Sequence, residues 1–136
     1  IVAMTVVYRK KALYPIYIFV FLTGLLNGFN MWWIPYLYIW TVLWGATMLL
    51  PKKLPPKVAP IIYAVVCSLH GFLYGVIYAP AQALMFGLDF KGMLTWIATG
   101  LPYDLIHGVS NFISGLILIV PIISILKIAE KTARKT

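Results

Sequence analysis

Long uncharged runs, broken by short clusters of lysine, arginine and proline, set the pattern of the chain. After an apolar stub at residues 1–7, Arg9, Lys10 and Lys11 lead into an apolar run at residues 13–29. At ~1.5 Å per residue a helix of that length reaches ~26 Å, just enough to span a bilayer when its flanks help. Asn27, Gly28 and Asn30 mark its far end. A second run at residues 32–50 follows after a few residues, so the two predict a helical hairpin. Pro51, Lys52, Lys53, Pro55, Pro56 and Lys57 then make a loop, because proline removes donors and blocks helix continuation. Residues 58–79 form a third run without formal charge, and residues 101–126 a fourth that ends in Lys127, Lys131, Arg134 and Lys135.

The predicted fold class is all-α, a polytopic integral membrane helix bundle forming one domain over residues 1–136. Composition agrees: 62% of residues are hydrophobic and only 10% charged. A soluble domain carries roughly 25% charged residues, so this chain lacks the polar surface that water requires. The net charge of +8 does not point to nucleic acid, since the basic residues sit at the edges of apolar runs rather than on one soluble face. Their placement is that of cytoplasmic loops and tails. Counting sides from the Arg9 cluster puts Asn30 outside, Lys52 inside, Tyr78 outside and the C-terminal tail in the cytoplasm. The count closes only if residues 80–100 stay on the outer side as a re-entrant or interfacial segment. Gln82, Asp89 and Lys91 within it would be costly at the bilayer centre. The expected setting is a multi-pass protein of a prokaryotic plasma membrane. The first residues read as the end of a helix, so an upstream portion is expected.

Polar residues inside such runs need a reason. Starting a helix near Pro102 places Asp104, His107, Asn111 and Ser114 on one face. Asp104 then lies in the first turn, where a carboxylate is favoured by the dipole and free amides, so capping outweighs ligand contact for it. His107 and Asn111 lie deeper and are candidate ligand contacts, with hydrogen bonding across the bundle as the alternative. A second stripe runs along residues 58–79: Tyr63, Cys67, His70, Tyr74 and Tyr78. His70 lies near mid-run, with Tyr74 and Tyr78 above it toward the outer side, as in a partly polar shaft. Gly71 with Gly75, and Gly24 with Gly28, have the small-xxx-small spacing of helix contacts, and Gly108 and Gly115 permit a close approach. Trp32 and Trp33 suit an interfacial belt, whereas Trp40 and Trp44 are too deep for one and are expected to face other helices.

Catalytic motifs are missing: no H-E-x-x-H, no phosphate-cradling glycine loop and no G-x-S-x-G. Nothing in the spacing requires a metal or cofactor, although His70, His107 and Asp104 are chemically able to bind one. Cys67 is the only cysteine, which excludes an internal disulfide. The chain reads as a binder rather than an enzyme, with a scaffold subunit as the alternative and an intramembrane enzyme using His70, Asp104 and His107 third.

The stretch from Thr95 through Trp96, Gly100, Pro102, Tyr103, Asp104, His107 and Asn111 to Phe112 resembles the last external loop and helix of the substrate-binding S components of energy-coupling factor transporters, a variety of ABC importer. The resemblance implies a six-helix membrane protein that captures a vitamin-like ligand from outside. It also implies association with a transmembrane coupling subunit and two ATPases. By the same resemblance His70, Trp96, Tyr103 and Asn111 match positions that hold substrate in thiamine-binding relatives. Tyr74, His107, Asn30 and Trp33 complete the expected site, the last two from an outer loop that closes over ligand. The surface on which the family meets its coupling subunit lies on a first helix that is not seen in this sequence.

Overall fold

The computed structural model describes residues 1–133, so Arg134 and Lys135 of the basic tail lie outside the described residues. Among the described residues the chain is all-helical: α1 Val2–Tyr8, α2 Leu13–Asn27, α3 Tyr36–Met48, α4 Ala59–Phe72, α5 Tyr74–Phe86 and α6 Phe90–Ala133, with 3-10 turns at Arg9–Ala12 and Met31–Trp33. α4 and α5 run almost in line, separated only at Leu73, and together cover 28 residues.

Two stretches are long and apolar enough to cross a membrane, Ala59–Phe86 and the 44-residue α6. Only 33% and 17% of their most apolar windows are buried inside the protein, so neither is the enclosed core helix of a soluble domain. Leu26, Leu49, Leu84 and Ile106 likewise present apolar side chains outward. A surface of this kind is stable against lipid tails rather than water.

The elements at residues 13–29 and 32–50 are helical but shorter than expected. Gly28, at φ 92°, ends α2 in a conformation that only glycine adopts freely. The chain then takes a 3-10 turn through Trp33, and α3 starts after Pro35. Gly28 is therefore a turn residue rather than a helix contact. Gly24 packs under the Phe29 and Trp33 rings instead.

Residues 80–100 are the segment expected to stay on the outer side, re-entrant or interfacial. They are helical apart from a tight turn between α5 and α6, where Gly87 adopts the left-handed conformation. Pro102 does not begin a helix but lies inside α6, as does Pro121. Each removes one backbone bond, a loss the twelve residues before Pro102 and the twelve after Pro121 outweigh.

The hairpin of α4–α5 against α6 is the backbone of the fold, held in antiparallel register by small residues. A Cβ on Gly71 would stand 2.9 Å from the Cα and N of Gly108, and one on Gly115 would stand 2.8 Å from the Cα of Ala64. Across the same seam the Ser68 hydroxyl donates to the Gly108 carbonyl at 2.9 Å. One turn on, the Gly75 N–H donates to both carboxylate oxygens of Asp104, at 3.2 and 3.1 Å. α1 packs on both α3 and α6, and α2 packs on α3. Val2, Ala3, Leu43, Tyr63, Ile119 and Ile123 make the core where α1, α3, α4 and α6 meet. The corner after α1 puts Arg9 at φ 53°; its guanidinium donates to the Met48 carbonyl at 2.9 Å, and its own carbonyl accepts from Trp44 Nε1 at 3.1 Å.

Candidate functional site

The break at Leu73 and the seam with α6 together place the polar groups. Asp104 does not cap its own helix, because α6 has already run fourteen residues before it. Its buried carboxylate takes the Gly75 amide at the start of α5, so it caps the neighbouring helix. His107 and Asn111, farther along the same face, come opposite α4. Ser114 is exposed, since ten residues along a helix lie about 80° off the stripe.

Rings from three elements form a continuous ladder. On α3 and the turn before it, Trp32 meets Tyr36 and Tyr36 meets Trp40, each at 5.5 Å between centroids and near perpendicular. On α4–α5, His70 contacts Tyr74 at 6.2 Å and Tyr74 contacts Tyr78 at 6.0 Å. Trp40 bridges the two rows to His70 at 5.9 Å and to Tyr74 at 6.4 Å. α6 closes the ladder twice: His107 lies edge-on to Tyr74 at 5.0 Å, and Trp96 stacks on Tyr78 at 5.6 Å with an 18° interplanar angle. Two tyrosine hydroxyls tie the rows together, Tyr38 to the Ile77 carbonyl at 2.8 Å and Tyr78 to the Trp32 carbonyl at 3.0 Å. The shaft expected above His70 is thus filled by rings in mutual contact.

Below the ladder lies a cavity of about 330 Å³ lined by Trp40, His70, His107 and Asn111, with Cys67 and the first turn of α1 completing its wall. Ligand pockets start near ~300 Å³. His70 Nε2 lies 3.1 Å from the Ile39 carbonyl, and since a carbonyl only accepts, the proton sits on Nε2 and leaves Nδ1 as an acceptor. Asn111 reaches the Cys67 carbonyl only at a long 3.4 Å. Trp40 Nε1 is buried without a hydrogen-bond partner among the described residues. An unmade bond of this kind costs about 1–3 kcal/mol. His70, His107 and Asp104 do not form a three-ligand group suited to a metal among the described residues.

The expected site residues therefore separate. His70, His107 and Asn111 share the cavity, and Tyr74 touches both imidazoles. Trp96 is on a helix rather than in a loop, fifteen residues from Asn111 on α6; at ~1.5 Å per residue that is ~22 Å, too far for one small ligand to touch both. Trp33 turns to α2, donating to the Val20 carbonyl at 2.8 Å and packing on Phe29. Asn30 is exposed at the turn. Tyr103 is 76% exposed, a quarter-turn from buried Asp104. Trp40 is the functional candidate that sequence reasoning left unassigned; its depth in an aromatic-rich run was the available signal. Tyr103→Phe is expected to leave both thermal stability and ligand retention unchanged, and a loss of retention would return Tyr103 to the site.

No family model, curated protein or solved structure matches this chain.

Proposed function

We propose that this chain is a membrane-embedded substrate-capture subunit that holds a small aromatic, vitamin-like micronutrient in the cavity beneath the ring ladder. The observation that carries the reading is the convergence of Trp40, His70, His107 and Asn111 on one cavity of ligand size within a stretch of otherwise apolar helices. Aromatic faces with a few imidazole and amide groups are suited to a planar heterocycle. Trp40, which lines the cavity, also carries a buried donor without a partner among the described residues, and a ligand acceptor that reached it would satisfy it. Thiamine, its pyrimidine moiety and nucleobase-like rings all fit that chemistry.

The likeness of residues 95–112 to S components of energy-coupling factor importers extends the proposal. Energy for uptake then comes from a transmembrane coupling subunit and two ATPases, since this chain carries no nucleotide motif. In that arrangement α2 and α3 are two further, short spans and the protein is multi-pass. The basic clusters at Arg9–Lys11, Lys52–Lys57 and the C-terminal tail face the cytoplasm of a prokaryotic cell. A scaffold subunit without a ligand is the second reading, and it draws on the interhelical bonds of Ser68 and Asp104.

Titration of the purified protein with thiamine, its pyrimidine and other vitamin-like rings, followed by tryptophan fluorescence, separates the two. His107→Ala and Trp40→Phe are each expected to weaken binding at least about tenfold, the loss of one or two polar contacts. Trp40→Phe is also expected to leave stability unchanged or raised, because it removes an unpaired donor. No quenching by any compound of the set sinks the capture reading, and loss of partner assembly in place of affinity selects the scaffold.

A further inference from the structure

A second concavity, of about 520 Å³, lies where the lysine-bearing loop meets α1, α4 and α6. Its rim carries Lys52 and Lys53 from the loop and Lys127 from α6, all three exposed. Its wall is mostly apolar, with Val7 from α1 and Val120 and Ile123 from α6, and Tyr63 and Ser124 as its uncharged polar members. Glu130 is the only carboxylate among the described lining residues, so cations predominate.

We propose that this groove binds an anionic phospholipid, its phosphate held by Lys52, Lys53 and Lys127 and an acyl chain laid along Val7, Val120 and Ile123. Charge and shape both select that occupant. Three lysines from two separate elements line one opening, which favours a phosphate over a neutral group. A free phosphate leaves the apolar wall uncovered, whereas a lipid covers it at a favourable ~25 cal/mol per Å². A zwitterionic headgroup brings a cation of its own into a lysine-rich rim. Basic pockets between helices at the cytoplasmic end of a bundle are suited to acidic headgroups. The proposal rests on the bilayer setting and is independent of the nutrient cavity, which shares none of these lining residues.

Native mass spectrometry of the full chain, released from detergent containing equal amounts of phosphatidylglycerol and phosphatidylcholine, tests it. Phosphatidylglycerol is expected to be retained about tenfold over phosphatidylcholine, since each lysine near an acidic headgroup contributes severalfold. The triple variant K52Q/K53Q/K127Q is expected to retain the two lipids equally. K10Q/K11Q, which removes two exposed charges outside the groove, is expected to keep the preference, and excess inorganic phosphate to leave the lipid in place. Equal retention by the unaltered protein overturns the proposal, with no variant needed. Displacement by phosphate identifies a free-anion site and overturns it too, as does an equal loss in K10Q/K11Q, which reduces the effect to net charge. Should the triple variant not fold, Lys127→Gln alone decides: an unchanged preference counts against the groove.

Discussion

Gly71→Ala is expected to destabilise the purified protein by about 2 kcal/mol, within the ~1–3 kcal/mol of overpacked cores. The added methyl meets the α6 backbone at Gly108, 2.9 Å from both Cα and N, together with the Asn111 amide. Backbone atoms have no rotamer to escape into, so α4 and α6 must separate, and the Ser68 bond to the Gly108 carbonyl lengthens with them. Gly108→Ala meets chiefly the Phe72 ring as far in as its Cγ; a side chain that is 36% exposed can turn about χ1 where a backbone cannot, so its cost is expected to be smaller than that of Gly71→Ala. Gly45, with nothing within 4 Å of its would-be Cβ, is the control: Ala there gains up to about 1 kcal/mol of helix propensity. Thermal unfolding followed by circular dichroism in one detergent ranks the three. If Gly108→Ala proves as damaging as Gly71→Ala, the close backbone crossing is not where the seam is tightest.

Asp104→Ala is expected to cost about 2–3 kcal/mol, because it strands the Gly75 amide in an apolar setting where no water replaces the carboxylate. Asp104→Asn keeps one carbonyl oxygen on that amide and is expected to lose about half as much. Hydrogen exchange gives a local readout: the Gly75 amide exchanges faster in Asp104→Ala than in Asp104→Asn, with α2 unaffected. Equal losses in the two variants would show that the negative charge, which both remove, matters rather than the acceptor oxygen that asparagine keeps.

The helical class, the proline loop and the positions of the apolar runs were legible in the sequence, because they follow from composition and local backbone rules. Partners across the bundle were not. Pro102 and Asp104 read as the start of a helix, since a proline followed by an acid is a strong local signal. The carboxylate instead serves an amide 29 residues earlier, which no local rule reports. Glycine spacing pointed to close helix contacts at Gly71, Gly108 and Gly115, but only packing shows which glycine faces which backbone. His70, His107 and Asn111 line one cavity because helical periodicity puts each on the inward face. Tyr103 did not, because a residue carried over by likeness of motif takes no account of helix rotation. Trp40 was visible as an aromatic lying too deep for the interface, yet its unpartnered N–H emerges only when every neighbouring carbonyl has been placed.

The unequal lengths of the helices bear on the surrounding lipid. α2 and α3, of 15 and 13 residues, rise only ~22 and ~20 Å, whereas the stretch of α6 from Leu101 to Leu126, in which Asp104 is the one formal charge, rises ~39 Å. A hydrocarbon layer of ~30 Å matches neither flank. In the multi-pass arrangement proposed above, the bilayer thins beside α2 and α3, while α6 leans away from the normal to shorten its reach. On that proposal the molecule is a wedge in hydrophobic thickness, and the fatty-acid length of its host membrane becomes a lever on its tilt.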